Sequence, residues 1–154
     1  MNKKLIIISI IIITIVALIY SGAKGKENSQ ISSQSSTTPQ SVIPADKIEV
    51  IHFHATQQCW SCITVGEYAL KTIKDKFPEE FTSGKIVYKD IDGELKENQE
   101  IVVKYQARGS SLFVNAIRDE QDNIEEDVTV WRLINSESQF ISYFENKLSS
   151  LLGK

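Results

Sequence analysis

The sequence predicts an α/β domain with a four-stranded mixed sheet, in the element order β-α-β-α-β-β-α, over residues 46–154. Short segments rich in β-branched and aromatic residues alternate with longer segments whose apolar residues recur at steps of three and four. Predicted helices separate the first three strands, so these strands can pair in parallel through right-handed crossovers. The last two strands are separated only by the polar turn DEQDN, which predicts a hairpin.

The first strand and helix are the elements that carry the candidate site. The segment KIEVIHFHA (47–55) predicts a strand, and alternation places three residues on one face: Val50, His52 and His54. The helix that follows has one apolar stripe, formed by Ile63, Gly66, Leu70, Ile73 and Phe77. A glycine in that stripe costs helix stability, so Gly66 indicates a close approach to the sheet.

The remaining elements follow in order. Pro78 predicts the end of the first helix. The other strands are predicted at residues 84–92, 110–118 and 124–133, and a second helix at residues 94–106. Ser136 and Gln139 fit a capping box that opens the final helix, whose inward residues are Phe140, Ile141, Phe144, Leu148, Leu151 and Leu152.

The N-terminal segment is apolar and predicts a membrane anchor. Residues 5–23 carry no charge, and their length is close to the roughly 20 residues that a spanning helix needs. Residues 1–4, which include Lys3 and Lys4, would form a cytoplasmic tail, which leaves the rest of a single-pass protein on the extracytoplasmic side of the cell membrane. The alternative is a signal peptide cleaved near Ser21-x-Ala23, which would also export the domain.

The linker and the charge balance restrict the partners. Residues 24–45 are rich in Ser, Gln and Thr and predict a disordered tether between the membrane and the domain. The chain has 17 basic and 20 acidic residues, a net charge of −3, and its basic residues form no stripe. A nucleic-acid partner is therefore not expected.

Two cysteines, the only ones in the chain, lie three positions apart in the segment HATQQCWSCIT. They fall where the first strand passes into the first helix, so the helix N-terminus should stabilise a thiolate at Cys59. Cys62 lies one turn further on and should be more buried. This arrangement suits a redox-active disulfide, Cys59–Cys62, in which Cys59 attacks a partner and Cys62 resolves the mixed disulfide. No other cofactor is expected.

The element order and the motif Cys59-Trp60-Ser61-Cys62 resemble the thioredoxin-like superfamily over about residues 46–152. More narrowly, FHATQQCWSCIT, SGKIVYKDID, GSSLFVNAI and VWRL are similar to the nitrophenyl compound nitroreductase subunit ArsF family of thioredoxin-like proteins. Nitroreductase activity does not carry over, because nothing in the sequence resembles a flavin site. The resemblance implies that Trp60, Ser61, Ser110 and Ser111 face a protein substrate.

Two positions depart from the thioredoxin pattern. Ser111 stands where thioredoxins have a cis-proline, and a non-proline cis bond is costly, so we expect the Ser110–Ser111 bond to be trans. His52 stands where thioredoxins bury an acidic residue beneath the second cysteine. It is a candidate base for the Cys62 proton, and the alternative is a hydrogen-bonded core histidine. Ser61 could donate a hydrogen bond to Cys59 or be a solvated loop serine.

The sequence leaves three functions open. The first is a membrane-tethered thiol–disulfide oxidoreductase that exchanges electrons with a protein thiol or disulfide partner, such as a membrane-embedded electron donor. The second is a copper or zinc module built from His54, Cys59 and Cys62, with His52 as a further ligand. The third is a non-catalytic subunit of a membrane complex, in which the cysteine pair is vestigial.

Overall fold

The computed structural model describes residues 43–154 of the chain. The predicted cytoplasmic tail, the predicted anchor at residues 5–23 and most of the predicted linker lie outside the described residues. Among residues 43–154, no helix is both long enough and apolar enough to cross a membrane.

The described part of the chain contains four strands and four α-helices. The strands are β1 (Lys47–His54), β2 (Ile86–Asp92), β3 (Ser111–Ile117) and β4 (Ile124–Glu126). The helices are α1 (Trp60–Lys76), α2 (Pro78–Thr82), α3 (Gln99–Tyr105) and α4 (Glu137–Leu152), with 3-10 turns at Lys96–Asn98 and Thr129–Arg132. The predicted order of strands and main helices is confirmed.

The sheet is mixed, with the strand order β2-β1-β3-β4. β1 pairs in parallel with β2, whereas β3 is antiparallel to both β1 and β4. This arrangement is that of a thioredoxin-like fold, so the predicted α/β class with a four-stranded mixed sheet is confirmed.

The prediction that the third strand also runs parallel to the first is wrong. Asp92 at the end of β2 and Ser111 at the start of β3 lie opposite neighbouring residues of β1, so β3 starts at the sheet edge where β2 ends. Helix α3 has 7 residues and spans only about 10 Å. It is too short to carry the chain back along the roughly 23 Å of a seven-residue strand.

The fourth strand is shorter than predicted because the chain turns at Asp127. Its buried carboxylate accepts hydrogen bonds from the Thr129 N–H at 3.1 Å and from the Tyr143 hydroxyl at 3.0 Å, and it lies 3.1 Å from the Lys147 ammonium. An aspartate that accepts from the N–H two residues ahead favours a turn over a strand. Residues 129–132 therefore form a 3-10 turn rather than the second half of a strand.

Two helix-end predictions also differ in detail. Helix α1 ends at Lys76 as expected, but Pro78 then opens the short helix α2, where a proline in the first turn loses no hydrogen bond. Ser136 is the N-cap of α4 without a side-chain capping bond, so the predicted capping box is not formed. The Ser136 hydroxyl lies 3.4 Å from that of Ser138 instead.

Two apolar layers cover the two faces of the sheet. The larger joins one face to α1 and α4, and its members include Ile48, Val50, Val65, Ile73, Leu112, Val114, Phe140 and Phe144. The smaller lies on the opposite face and contains Ile51, Phe53, Tyr105 and Phe113. Ala45, placed by the sequence at the end of the linker, is buried and donates its N–H to the carbonyl of Leu151 at 2.7 Å. The face that carries α1 is the one on which the cysteines meet the sheet.

Candidate active site

The two cysteines lie at the start of α1, where the chain leaves β1. Cys59 is the N-cap residue of α1, with extended φ and ψ of −82° and 165°, and its thiol is exposed. Cys62 lies in the first turn and is 8% exposed. Both are free thiols, with their sulfur atoms 3.0 Å apart. The exposed thiol is open to a partner, and the buried one is within reach of the first.

Hydrogen bonds around Cys59 favour its thiolate. The largest contribution comes from the Cys62 thiol, and the next from the Ser61 hydroxyl, whose oxygen lies 3.0 Å from Cys59 Sγ. The N–H of Cys62 adds to them, and together they lower the pKa of Cys59 to about 7. No acidic residue lies in the first turn of α1 to oppose a negative charge there.

Cys62 contacts the loop that leads into β3. Its thiol donates to the Ser110 hydroxyl, with the sulfur and oxygen atoms 3.2 Å apart. The Ser110–Ser111 peptide bond is trans. Ser111, which the sequence predicted to face a substrate, is 3% exposed, and its hydroxyl donates to the Gly109 carbonyl at 3.0 Å. Ser110 is therefore the one of the two serines that contacts the thiol pair.

His52 is buried on the α1 face of the sheet and bonds to one carboxylate. Its Nδ1 lies 2.7 Å from Oδ1 of Asp90, the residue directly opposite it on β2. Its Nε2 is buried without a hydrogen-bond partner among the described residues. Burial lowers the pKa of His52, although the neighbouring Asp90 carboxylate opposes this effect. The imidazole is therefore neutral at pH 7.

The absence of a side chain at Gly66 lets α1 approach the sheet above His52. A Cβ atom at Gly66 would lie 2.7 Å from His52 Nδ1 and 3.1 Å from the Tyr88 hydroxyl oxygen. Real Cβ contacts essentially never fall below 3.0 Å. The close approach predicted at this glycine is confirmed, and the group approached is the His52 ring.

The structure does not bring His54 to the thiols. Its Nδ1 donates to the carbonyl of Ala55 at 2.9 Å, and its Nε2 lies 3.6 Å from Asp90 Oδ1. Within residues 43–154, no group of three or more His, Cys, Asp or Glu side chains is placed to hold a metal ion. The alternative ligand set of His54, Cys59 and Cys62 is not assembled in this arrangement.

Two cavities flank the loop that contacts Cys62. One of about 560 Å³ is lined by Arg108, Ser110 and Glu126 among others. The other, of about 280 Å³, is also lined by Arg108, together with His54 at the end of β1. Beside the thiols, the Trp60 side chain is 63% exposed. A partner that reaches Cys59 would meet Trp60 and this loop.

Asp90 was not predicted as a site residue. The segment KDID predicts a strand, and its pattern assigns no role to its acidic residues. The available signal was positional: in a parallel pair, a polar residue on β2 that faces the same way as His52 is a candidate partner for a buried imidazole. The register that pairs His52 with Asp90 is fixed only by the folded sheet.

The chain has a thioredoxin-like fold with a Cys-x-x-Cys motif at the start of its first helix. No family model and no curated protein matches the chain. Solved structures that are similar to the chain include the human ERp44 zinc-bound form, at 20% identity and a TM-score of 0.47, and human ERp44 form I, at 17% identity and a TM-score of 0.48. These matches cover 68% and 80% of this chain, but only 27% and 30% of the respective ERp44 chains.

Proposed function

We propose that this protein is a membrane-tethered, extracytoplasmic thiol–disulfide oxidoreductase whose redox centre is the Cys59–Cys62 pair. The observation that carries the proposal is the asymmetry of the two thiols. Cys59 is exposed and has a pKa of about 7, whereas Cys62 is buried with its sulfur 3.0 Å away. A thiol with a pKa near ambient pH is the best attacking group in disulfide exchange.

The reaction proceeds in two exchanges. The Cys59 thiolate attacks a disulfide of the partner, so a mixed disulfide forms and the first partner sulfur leaves as a thiolate. Cys62 then loses its proton and attacks the Cys59 sulfur, which closes the Cys59–Cys62 disulfide and releases the second partner sulfur. The partner gains two electrons and the cysteine pair loses two. The same steps in reverse oxidise a partner dithiol.

His52 is proposed as the base that takes the Cys62 proton in the second exchange. Burial keeps its imidazole neutral at pH 7, and its Nε2 has no hydrogen-bond partner among the described residues. A neutral imidazole with a free nitrogen is a competent general base. Trp60, Ser61 and Ser110 are proposed to form the partner-facing surface, since Trp60 is exposed and both serines bond to a thiol.

A trapping experiment tests the two roles. Reduced wild-type protein treated with oxidised glutathione should form the internal disulfide and retain no glutathione. The variant Cys62→Ala should keep one glutathione on Cys59, and the matched variant Cys59→Ala should react far more slowly. Intact-mass spectra measure the glutathione bound to each of the three proteins. Persistent glutathione on the wild type, or equal labelling of both variants, would contradict the assigned roles.

The membrane location is proposed from the sequence of residues 5–23. An anchor followed by the linker of residues 24–45 would keep the domain near the membrane surface, where a membrane-embedded electron donor is a suitable partner. The full chain should stay in the membrane fraction after an alkaline carbonate wash. Its Cys59 should react with a membrane-impermeant maleimide in intact cells. Labelling that requires permeabilised cells would place the domain on the opposite side.

We also infer the narrower relationship to the nitrophenyl compound nitroreductase subunit ArsF family of thioredoxin-like proteins. It is supported by the four sequence segments given above, two of which contain the cysteine pair and Ser110. Under this assignment the purified protein should bind no flavin and should leave nitrophenyl compounds unchanged. Thiol–disulfide exchange should be its only redox activity in the same preparation.

A further inference from the structure

The pairing of His52 with Asp90 extends the proposed function, on which this inference rests. The two residues lie directly opposite each other on the parallel strands β1 and β2, and Nδ1 and Oδ1 are 2.7 Å apart. We propose that Asp90 is a positioning residue, which fixes the His52 ring so that its Nε2 accepts the proton of Cys62 when the mixed disulfide is resolved.

The hydrogen bond determines which ring nitrogen is free. A carboxylate can only accept, so Nδ1 must carry the hydrogen and a neutral ring keeps its lone pair on Nε2. That nitrogen is buried and has no partner among the described residues. A buried acceptor without a partner is costly to fold, so a functional use is the simplest reason for its presence.

The bond to Asp90 directs Nε2 away from β2, and Nε2 forms no hydrogen bond with either thiol in this arrangement. Nδ1 points to β2, and the second nitrogen of an imidazole points away from the first, so Nε2 points to the β3 side of β1. The Cys62 thiol is on that side, because it bonds to Ser110 immediately before β3. Gly66, one turn after Cys62 on α1, is the position that packs directly on the ring. His52 therefore lies under the turn of α1 that follows Cys62.

The proton transfer balances without any added group. The S–H bond of Cys62 breaks and an N–H bond forms at Nε2, which leaves a thiolate and an imidazolium. The Asp90 carboxylate stabilises the imidazolium through its bond to Nδ1. When the disulfide has closed, the imidazolium loses its proton to solvent. A cavity of about 280 Å³ lined by both His52 and Asp90 gives water access to this pair.

Other titratable groups around the ring enter any interpretation of pH dependence. The His54 ring centroid is 5.7 Å from that of His52, and Tyr88 and Glu67 line the same cavity. Burial raises the pKa of Tyr88 far above neutral, so it stays protonated. Among residues 43–154, Asp90 is the one carboxylate that bonds to His52.

The test separates the two exchanges in time. The reduced full chain, in detergent, is mixed with one equivalent of Ellman's reagent, 5,5′-dithiobis(2-nitrobenzoate). Attack by Cys59 releases the first thionitrobenzoate, and attack by Cys62 releases the second. In Asp90→Asn the amide can donate to Nδ1, which moves the ring hydrogen to Nε2 and blocks it as an acceptor. The second release should slow by on the order of 100-fold at pH 7, a typical general-base contribution. The first should change less than about twofold, since Cys59 is left intact.

The matched control is Asp92→Asn, which removes the same charge two residues along the same strand and should leave both releases near wild type. Asp90→Glu keeps a carboxylate and should recover most of the second release. The pH profile distinguishes catalysis from structure. Wild type should show a plateau around pH 7, whereas Asp90→Asn should accelerate steadily with pH as Cys62 ionises unaided.

The two proposals fail in different ways. If the wild type never releases the second thionitrobenzoate, the oxidoreductase proposal fails. If it does, but Asp90→Asn matches Asp92→Asn in rate and pH profile, the role of Asp90 is refuted. If circular dichroism shows that Asp90→Asn does not fold, nitrogen NMR of the wild type with labelled histidine tests the role of Asp90 instead. A hydrogen on Nδ1 supports the proposal, and a hydrogen on Nε2 refutes it.

Discussion

The ionisation of Cys59 gives a quantitative prediction for its reactivity. With a pKa of about 7, half of the Cys59 thiols are ionised at pH 7. A cysteine in a peptide, with a pKa of about 8.5, is only about 3% ionised, so Cys59 has roughly 16 times more thiolate. The lower basicity makes each thiolate about fivefold less nucleophilic, for a Brønsted slope of about 0.45.

The larger thiolate fraction of Cys59 outweighs its lower nucleophilicity at low pH, and the reverse holds at high pH. Cys59 should attack a neutral disulfide such as dithiodipyridine about threefold faster than the peptide at pH 7 and about sixfold faster at pH 6. At pH 9 both thiols are mostly ionised, and Cys59 should be about fourfold slower. The relative rate therefore changes about 20-fold between pH 6 and pH 9, whatever the steric access to Cys59.

This pH dependence of the relative rate is checked by stopped-flow measurement of the first thiopyridone release, with a model cysteine peptide as reference. The hydrogen bonds also predict an order among variants. Cys62→Ala should raise the half-maximal pH more than Ser61→Ala, because the Cys62 thiol is the larger contributor, and Ser61→Thr should retain the wild-type value. Parallel pH profiles for the protein and the peptide, with a midpoint near 8.5, would refute the reasoning.

Three further predictions concern the stability of the domain. Gly66→Ala should destabilise the domain by about 1–2 kcal/mol in urea unfolding, because overpacking against His52 outweighs up to about 1 kcal/mol of helix propensity. Glu67→Ala, on the exposed side, is the control and should change stability by less than about 0.5 kcal/mol. Asp127→Ala should cost about 2–4 kcal/mol, since its buried partners lose their acceptor, whereas the exposed Glu126→Ala should cost little. Burial lowers the pKa of His52, so the unfolded state binds more protons and stability should fall as pH drops below about 6.5. His52→Gln should flatten that part of the pH–stability curve, and an unchanged curve would count against the burial of a neutral imidazole.

Local patterns in the sequence were sufficient for the order of the strands and main helices and for the thiol pair. The two cysteines at a strand-to-helix boundary predicted an exposed Cys59 and a buried Cys62, and the structure places them so. Gly66 in an apolar helical stripe predicted a close contact with the sheet, because only packing explains a glycine that lowers helix propensity.

Features that depend on non-local contacts were not accessible. The direction of β3 follows from the sheet edge at which the short helix α3 returns the chain, and periodicity carries no such information. The early end of β4 depends on Asp127 and on Tyr143 in a distant helix. Asp90 reaches His52 only through the pairing register of two strands that lie 38 positions apart in sequence.

A redox titration of the reduced, metal-free full chain tests the central proposal most directly. The protein is equilibrated in glutathione and dithiothreitol buffers, and its free thiols are counted by maleimide mass shift. The proposal predicts a single two-electron transition of Cys59 and Cys62, with a midpoint between about −270 and −120 mV, the range of thiol–disulfide exchange proteins. If no Cys59–Cys62 disulfide forms anywhere in that range, the protein is not a thiol–disulfide oxidoreductase.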